Sequence, residues 1–284
     1  MKLENLKNKK ILLLGFGIEG RSTMRFLKKF LPGQCTVDIA DQKNGPDYLR
    51  KQTHYDLVIR SPGIPKGLLT KPHTTATNIF FANAKGTIVG VTGSKGKSTT
   101  ASLIYAFCKE AGLPVRLVGN IGNPMLDALS ESNSEHDIFV VELSSYQLDD
   151  IAYAPHISLI LNLFPEHMDY HGTIYAYWEA KKQIISAAGE KAYFIYNPDY
   201  EALVDLAKKT VAHSIPFVSE MPFPESDIPL LGAHNRDNIR SAITASLLFN
   251  IPYATMHSAI KKFKPLPHRL ELVGTFKEIT FYDD

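Results

Sequence analysis

Gly90-Val91-Thr92-Gly93-Ser94-Lys95-Gly96-Lys97-Ser98-Thr99-Thr100 follows an apolar run, Thr87 to Val91, and opens a stretch with helical spacing from about Lys97 to Ala111. Gly112, with Pro114 just beyond, stops that helix. Strand, glycine turn and helix in this order make a cradle in which backbone N–H groups and a helix N-terminus hold phosphates. The strict pattern G-x-x-x-x-G-K-[ST] requires glycine at Val91, so the match is to a shorter loop that uses Gly93 and Gly96 and keeps Gly-Lys-Ser-Thr intact. In such a loop Lys97 neutralises the outer phosphates, and a hydroxyl from Ser98 or Thr99 reaches Mg²⁺. A solvated basic turn is the competing reading, and the co-occurrence of strand, glycines, lysine and hydroxyls weighs against it.

Upstream, Ile11 to Leu14 ends at a second glycine turn, Gly15-Phe16-Gly17-Ile18-Glu19-Gly20, followed by helical spacing over Glu19 to Lys29 and a strand from Thr36 to Ala40 that ends at Asp41. This is G-x-G-x-x-G in a β-α-β context, with an acidic residue close to the expected place. Taken alone it says NAD, although the glycines do not encode which diphosphate binds, and a nucleotide sugar fits equally. A third strand, Asp56 to Arg60, runs into the turn Ser61-Pro62-Gly63-Ile64-Pro65. Downstream, Ile138 to Val141, Ile157 to Leu163 and Ala192 to Tyr196 read as strands, and Ile174 to Ala187 and Asn235 to Phe249 as helices. Pro216 to Leu231, with four prolines, reads as loop. Alternating strands and helices predict α/β parallel sheets covered on both faces. The expected order is a Rossmann-like sheet domain over 1–85, then a phosphate-loop, ATPase-like α/β domain over 86–284.

Length favours two domains, since 284 residues exceed what one core usually holds. Lys plus Arg number 31 against 29 for Asp plus Glu, with no basic block, so nucleic acid is not an expected partner. Two separated cysteines, Cys35 and Cys108, give neither a disulfide framework nor a zinc site and fit a reducing cytosol. No apolar run approaches a bilayer span or a signal-peptide core. A cytoplasmic monomer is the expectation.

The ordered markers of the chain resemble the Mur ligase family. They are the first glycine loop, Ser61-Pro62-Gly63-Ile64, Thr92 to Thr99, Gly119-Asn120-Ile121-Gly122, Glu142-Leu143-Ser144-Ser145-Tyr146-Gln147-Leu148, Asn162 through His167-Met168-Asp169, Ala180-Lys181, His234-Asn235 with Asn238, and Pro267-His268-Arg269-Glu271. The segment 142–148 is most similar to the branch that adds D-glutamate. The resemblance implies ATP-driven amide formation in cell-wall precursor synthesis: the γ-phosphoryl group passes to a substrate carboxylate, and an amino acid attacks the acyl phosphate. It implies ATP held by Gly93, Ser94, Lys95, Gly96, Lys97, Ser98, Thr99, Asn235, Asn238, Arg269 and Asp284. Catalytic roles fall by the same resemblance to Lys97, Glu142, His167 and Lys181. Up to two Mg²⁺ ions are implied at Ser98, Glu142, His167 and a Lys181 that carbamylation turns into an anion. UDP-N-acetylmuramoyl-L-alanine is implied at Gly17, Ile18, Glu19, Asp41, Ser61, Pro62, Gly63, Asn120 and His167.

Each of these has a plainer competitor. Glu142 can cap the following turn, a lone His167 is most often structural, and Lys181 with Lys182 reads as an exposed cationic face. Asn235 and Asn238 can be N-caps, and Arg269 can pair with Glu271. Family members carry a third domain beyond the point where Tyr282-Asp283-Asp284 stands. The expectation is therefore a short form that lacks the D-glutamate site, binds the UDP precursor and ligates poorly. Ser94-Lys95 also departs from the commoner Thr-Asn, adding charge beside Lys97. The rivals are another amide ligase on the same scaffold, such as a folate polyglutamate synthase or a muramoyl ligase for a different amino acid, an NAD-dependent dehydrogenase, and a catalytically silent nucleotide-binding module.

Overall fold

The computed structural model describes residues 1–230, 232–264, 271–276 and 279–283. The first sheet is built from β1 (Lys10–Leu14), α1 (Ile18–Phe30), β2 (Thr36–Ala40), β3 (Leu57–Arg60) and β4 (His73–Thr75). Helix α2 (Ala76–Asn83) leads to the second sheet, which begins with β5 (Thr87–Thr92), α3 (Lys97–Glu110), β6 (Val115–Gly119), α4 (Met125–Glu131) and β7 (Ile138–Glu142). It continues through α5 (Ser145–Leu148), β8 (Ile157–Ile160), α6 (Met168–His171), α7 (Ile174–Lys182), β9 (Tyr193–Tyr196), α8 (Glu201–Lys209) and β10 (His213–Pro216). Helices α9 (His234–Leu247) and α10 (Tyr253–Lys261) and a hairpin of β11 (Glu271–Phe276) and β12 (Ile279–Asp283) follow.

The two large sheets run in the orders β2-β1-β3-β4 and β10-β9-β8-β5-β7-β6, with every described pairing parallel. The strands that read as unbroken apolar runs, β3, β7 and β8, are buried along their whole length, as strands covered on both faces must be. The half-exposed strands β2 and β10 stand at the edges. In the first sheet the chain goes from β1 to β2 on one side and then to β3 on the other, so the order reverses at β1, which ends in Gly15. In the second it reverses at β5, which ends at Thr92-Gly93. Both glycine loops thus lie at the carboxyl edge of a sheet at a reversal of strand order, where α/β folds leave a crevice for ligands.

Alternation along β5 and β7 sends Ile88 and Phe139 to one apolar cluster and Val89, Val91 and Val140 to another. The second cluster is completed by α3, α9 and α10 through Ile104, Phe107, Ile243 and Met256. The first also holds Ile11, Ile59, Ile79 and Phe80, so one core is continuous between the two sheets. Phe80 of α2 meets Phe139 edge-to-face with centroids 5.2 Å apart.

Several boundaries differ from expectation. The strand read as Ile157 to Leu163 ends at Ile160, and the helix read as Ile174 to Ala187 ends at Lys182 and tightens into a 3₁₀ turn, Gln183–Ile185. Helix α2 is absent from the sequence reading because its residues 76–81 are buried on every side, leaving no amphipathic period to detect. The short edge elements β4, β6 and β10 were likewise not read. Among the described residues no helix is long and apolar enough to cross a membrane.

Candidate active site

The first loop uses its three glycines differently. Gly15 has φ +86°, and a Cβ there would sit 2.6 Å from Ser61 Oγ; Ser61 Oγ also donates to Gly15 O at 3.1 Å. A Cβ on Gly20 would lie 2.5 Å from Gly15 O, whereas Gly17 has nothing within 4 Å. Gly15 and Gly20 therefore serve packing, and Gly17 faces open space beside the exposed Ile18. Gly20→Ala is expected to lower stability by about 2 kcal/mol through overpacking, and Gly17→Ala by less than about 1 kcal/mol, a contrast that urea unfolding of the two variants will read.

Asp41 turns inward on this loop. Its carboxylate accepts from Phe16 N at 2.7 Å and Lys43 N at 3.1 Å, and these backbone hydrogen bonds hold it below the usual carboxylate range. Asp41 braces the loop, and so is already engaged where a dinucleotide-binding carboxylate would meet ribose. The Glu19 side chain also points away from the open face: Oε1 accepts from Gln147 Nε2 at 2.7 Å. Arg60, fully buried, donates through Nη1 to the carbonyls of Pro62 and Ile64 and fixes the Ser61-Pro62-Gly63 turn.

In the second loop Gly96, at φ +82°, precedes α3, and a Cβ there would overlap Asn238 Oδ1. Asn238 Nδ2 in turn donates to Asn235 Oδ1 at 2.9 Å. The two asparagines, both buried, are packed against the phosphate loop; the residue at the N-cap of α9 is Ala233, so neither is a cap. Ser94 is committed to the protein. Its hydroxyl donates to Phe164 O and accepts from Phe164 N and from the phenol of Tyr177, all within 2.9 Å. The N–H groups of Ser94 and Lys95 donate to the backbone and side-chain oxygens of Asn162. The helix N-terminus presented to phosphate is the first turn of α3, which begins at Lys97 directly after Gly96. Lys95 Nζ reaches Glu166 Oε1 at 2.7 Å.

Two lysines converge on one carbonyl: Lys97 Nζ and Lys181 Nζ donate to Gly93 O at 2.9 and 2.8 Å, and Lys97 also donates to Ser94 O. Lys181 is only 1 % exposed, so it does not form an exposed pair with Lys182. Burial, reinforced by the charge of Lys97, brings its ammonium down to about 7. Tyr177, one turn earlier on α7, lies under it, with Lys181 Nζ 4.7 Å from the ring centroid. Glu142 ends β7 in register with Val91 and is 1 % exposed. Asn120 Nδ2 donates to its Oε1 at 3.0 Å, while Oε2 is buried without a hydrogen-bond partner. A buried carboxylate oxygen left open is costly unless something cationic meets it. Its donor chemistry fits Mg²⁺, which is held by one or two carboxylates together with substrate phosphates. Among the described residues there is no group of three or more His, Cys, Asp or Glu side chains that could hold a metal ion.

His167 caps α6 at φ +55°, with its ring 5.0 Å from Tyr146 and 6.1 Å from Tyr177. His171 Nε2 lies 3.0 Å from Ser145 Oγ, and burial lowers its basicity. Arg269, Asp284, Pro267 and His268 lie outside the described residues. The sequence reading missed Tyr177, Asn162 as the partner of the loop, and the hold of Asn120 on Glu142. Only Tyr177 carried a signal, its spacing of four from Lys181 on one helix face.

The sequence profile of the Mur ligase middle domain matches residues 91–221. UDP-N-acetylmuramoylalanine–D-glutamate ligases of Streptococcus pyogenes serotype M5 and Caldicellulosiruptor bescii are each 32 % identical to this chain over 99 % of its length and 72 % of theirs. The alignment with the streptococcal protein runs over 327 positions, so that relative carries internal residues that this 284-residue chain lacks. Among solved structures, the Neisseria meningitides UDP-N-acetylmuramate:L-alanyl-gamma-D-glutamyl-meso-diaminopimelate ligase superposes with TM-score 0.64 at 17 % identity, covering 91 % of this chain and 99 % of that one. MurF ligase from Thermotoga maritima, solved with ADP, superposes with TM-score 0.59 at 17 % identity over 99 % of this chain and 69 % of that one. With the sequence relatives spanning both glycine loops and the structural neighbours sharing the fold, the chain belongs to the Mur ligase family.

Proposed function

We propose that this protein joins D-glutamate to UDP-N-acetylmuramoyl-L-alanine, converting ATP to ADP and phosphate. The reading is carried by one observation: two lysines meet the carbonyl of the phosphate loop while Glu142, at the adjacent strand end, keeps a buried carboxylate oxygen open. The names of the 32 % identical relatives support the choice of substrates.

In this proposal residues 1–85 hold the UDP precursor and residues 86–284 hold ATP. Gly17 and Ile18 offer the diphosphate an open helix N-terminus, the Ser61-Pro62-Gly63 turn stands beside it, and Glu19 contributes its backbone N–H only. Lys97 and the first turn of α3 hold the outer phosphates, with Asn235 and Asn238 behind the loop. Ser98, Glu142, His167 and a carbamylated Lys181 would hold up to two Mg²⁺, which neutralise charge as the phosphoryl group moves. An oxygen of the precursor carboxylate bonds to the γ-phosphorus as the bond to ADP breaks. The amine of D-glutamate then attacks the acyl carbon, phosphate leaves, and the amine loses a proton. Lys97 stabilises the charge that accumulates on the transferring group.

Calorimetric titration with UDP-N-acetylmuramoyl-L-alanine, and with NADH in parallel, tests the reading. Saturable binding of the precursor, weakened at least tenfold in Gly17→Ala, and none of NADH is the expected result. Binding of NADH and not the precursor sinks it.

A further inference from the structure

A chain of hydrogen bonds joins the two glycine loops. Glu19, in the first turn of α1, accepts from Gln147 Nε2 through Oε1 at 2.7 Å. The carbonyl oxygen of the same Gln147 carboxamide accepts from Ser144 N at 2.9 Å and Ser144 Oγ at 3.1 Å, which fixes the orientation of the amide. The peptide that carries Ser144 N–H also carries Leu143 O, and this oxygen accepts from Thr92 Oγ1 at 2.9 Å. One peptide plane, the one joining Leu143 to Ser144, is therefore clamped between a side chain tied to the first loop and the residue that opens the second. Gln147 and Thr92 are buried, so water does not compete for these bonds.

The other carboxylate oxygen of Glu19 belongs to a residue that shares a small cavity with a second donor group. Glu19 Oε2 and Arg60 Nη2 are both buried without a hydrogen-bond partner, and both residues line one cavity of about 10 Å³, the size of a single water. Arg60 is held from the second sheet by Asp150 Oδ2, 2.8 Å from its Nε. A carboxylate suits position 19 because one oxygen meets Gln147 Nε2 while the other remains an acceptor in the cavity that Arg60 also lines.

We propose that Glu19 is a positioning residue that couples the two ligand sites, so that a ligand on the first loop and a magnesium nucleotide on the second strengthen one another's binding. This rests on the assignment of the two loops to UDP-N-acetylmuramoyl-L-alanine and ATP. Glu19→Gln leaves one acceptor where two are needed and sets an amide N–H₂ against either Gln147 Nε2 or Arg60 Nη2. Adding Gln147→Glu restores the bond between the two side chains: residue 19 then donates to residue 147 and keeps its carbonyl oxygen as the acceptor in the shared cavity, while residue 147 still accepts from Ser144.

The test is calorimetric titration of UDP-N-acetylmuramoyl-L-alanine into the full chain, with and without a saturating magnesium complex of a non-hydrolysable ATP analogue. Thermal melts check that each variant is folded. The wild type is expected to bind the precursor about fivefold or more tightly with the nucleotide present, and, by reciprocity, the nucleotide more tightly with the precursor present. Glu19→Gln brings this factor below about twofold, and the double variant returns it to near the wild-type value. Glu19→Ala, which removes the acceptors without adding a donor, shows the same loss. Full coupling in Glu19→Gln or Glu19→Ala, or no recovery in a folded double variant, overturns the proposal. A wild type that binds both ligands independently overturns it too and leaves the functional reading intact. A wild type that does not bind the precursor overturns the functional reading, and the coupling with it.

Discussion

Replacing Lys181 with methionine is expected to make the protein more stable and inactive at once. In the folded chain Lys181 loses its proton near 7, against 10.5 for an unperturbed lysine, because burial and the charge of Lys97 outweigh the attraction of Glu166 and Glu142. Below pH 7 both folded and unfolded chains carry the proton, and folding bears the full cost of burying it. Between about 7 and 10.5 the folded chain is neutral while the unfolded chain stays protonated, so the cost declines as pH rises and vanishes above that range. Each pH unit is worth ~1.4 kcal/mol. After discounting the lost hydrogen bond to Gly93 O, Lys181→Met should gain roughly 3 kcal/mol at pH 6. That gain should shrink steadily toward pH 10, as urea unfolding across pH will show.

In the proposed reaction the same low basicity prepares Lys181 for carbamylation. At pH 8 its amine is mostly neutral and able to add to CO₂, the step that turns a buried cation into an anion. Carbon-13 bicarbonate should therefore give a carbamate resonance in the wild type that grows as pH rises through 7 and is absent from Lys181→Met. Loss of that anion is expected to lower precursor-dependent ADP formation by about 10³-fold, the scale of removing a preorganised electrostatic group. A methionine variant that is less stable at pH 6 and still forms ADP would mean that Lys181 is a structural lysine.

What the sequence revealed follows from what is local. Both glycine loops were legible because strand, turn and helix are contiguous, and their chemistry depends on residues within one turn of each other. Glu142 and Lys181 were named through family resemblance and their reasons lay elsewhere: the partner of Glu142 is Asn120, 22 residues away, and the carbonyl met by Lys181 belongs to Gly93, 88 residues away. Their burial depends on segments far apart in the chain coming together, which no local pattern encodes. Ser94 shows the converse. Its place in a phosphate loop predicts a phosphate ligand, yet its hydroxyl is taken by Phe164, in the loop after β8, and by Tyr177 of α7, both far along the chain. Asp41 misleads in the same way, since the spacing that marks a ribose ligand equally suits a brace for Phe16 N. The helix α2 escaped notice because joining two sheets requires apolar residues on all of its sides.

Glu142→Gln should abolish the dependence of nucleotide binding on Mg²⁺. Asn120 Nδ2 donates to Oε1 of the carboxylate, while Oε2 stays buried and open at the edge of β7 beside the loop. A buried carboxylate oxygen without a hydrogen bond costs the free protein stability, so a divalent cation arriving with the nucleotide regains that free energy on binding. Glutamine keeps the shape and still accepts from Asn120, but presents a neutral amide to the metal. We therefore expect ADP to bind the wild type about 100-fold more tightly with Mg²⁺ than without it, a difference of ~2.7 kcal/mol. In Glu142→Gln the two affinities should differ by less than about threefold. The metal-free affinity is the sharper part of the test. Removing a negative charge close to the phosphates leaves metal-free ADP binding to the variant as tightly as to the wild type or more so, whereas a carboxylate whose work is to cap the turn at Ser144 would, on replacement, disorder the loop and weaken binding with and without metal alike.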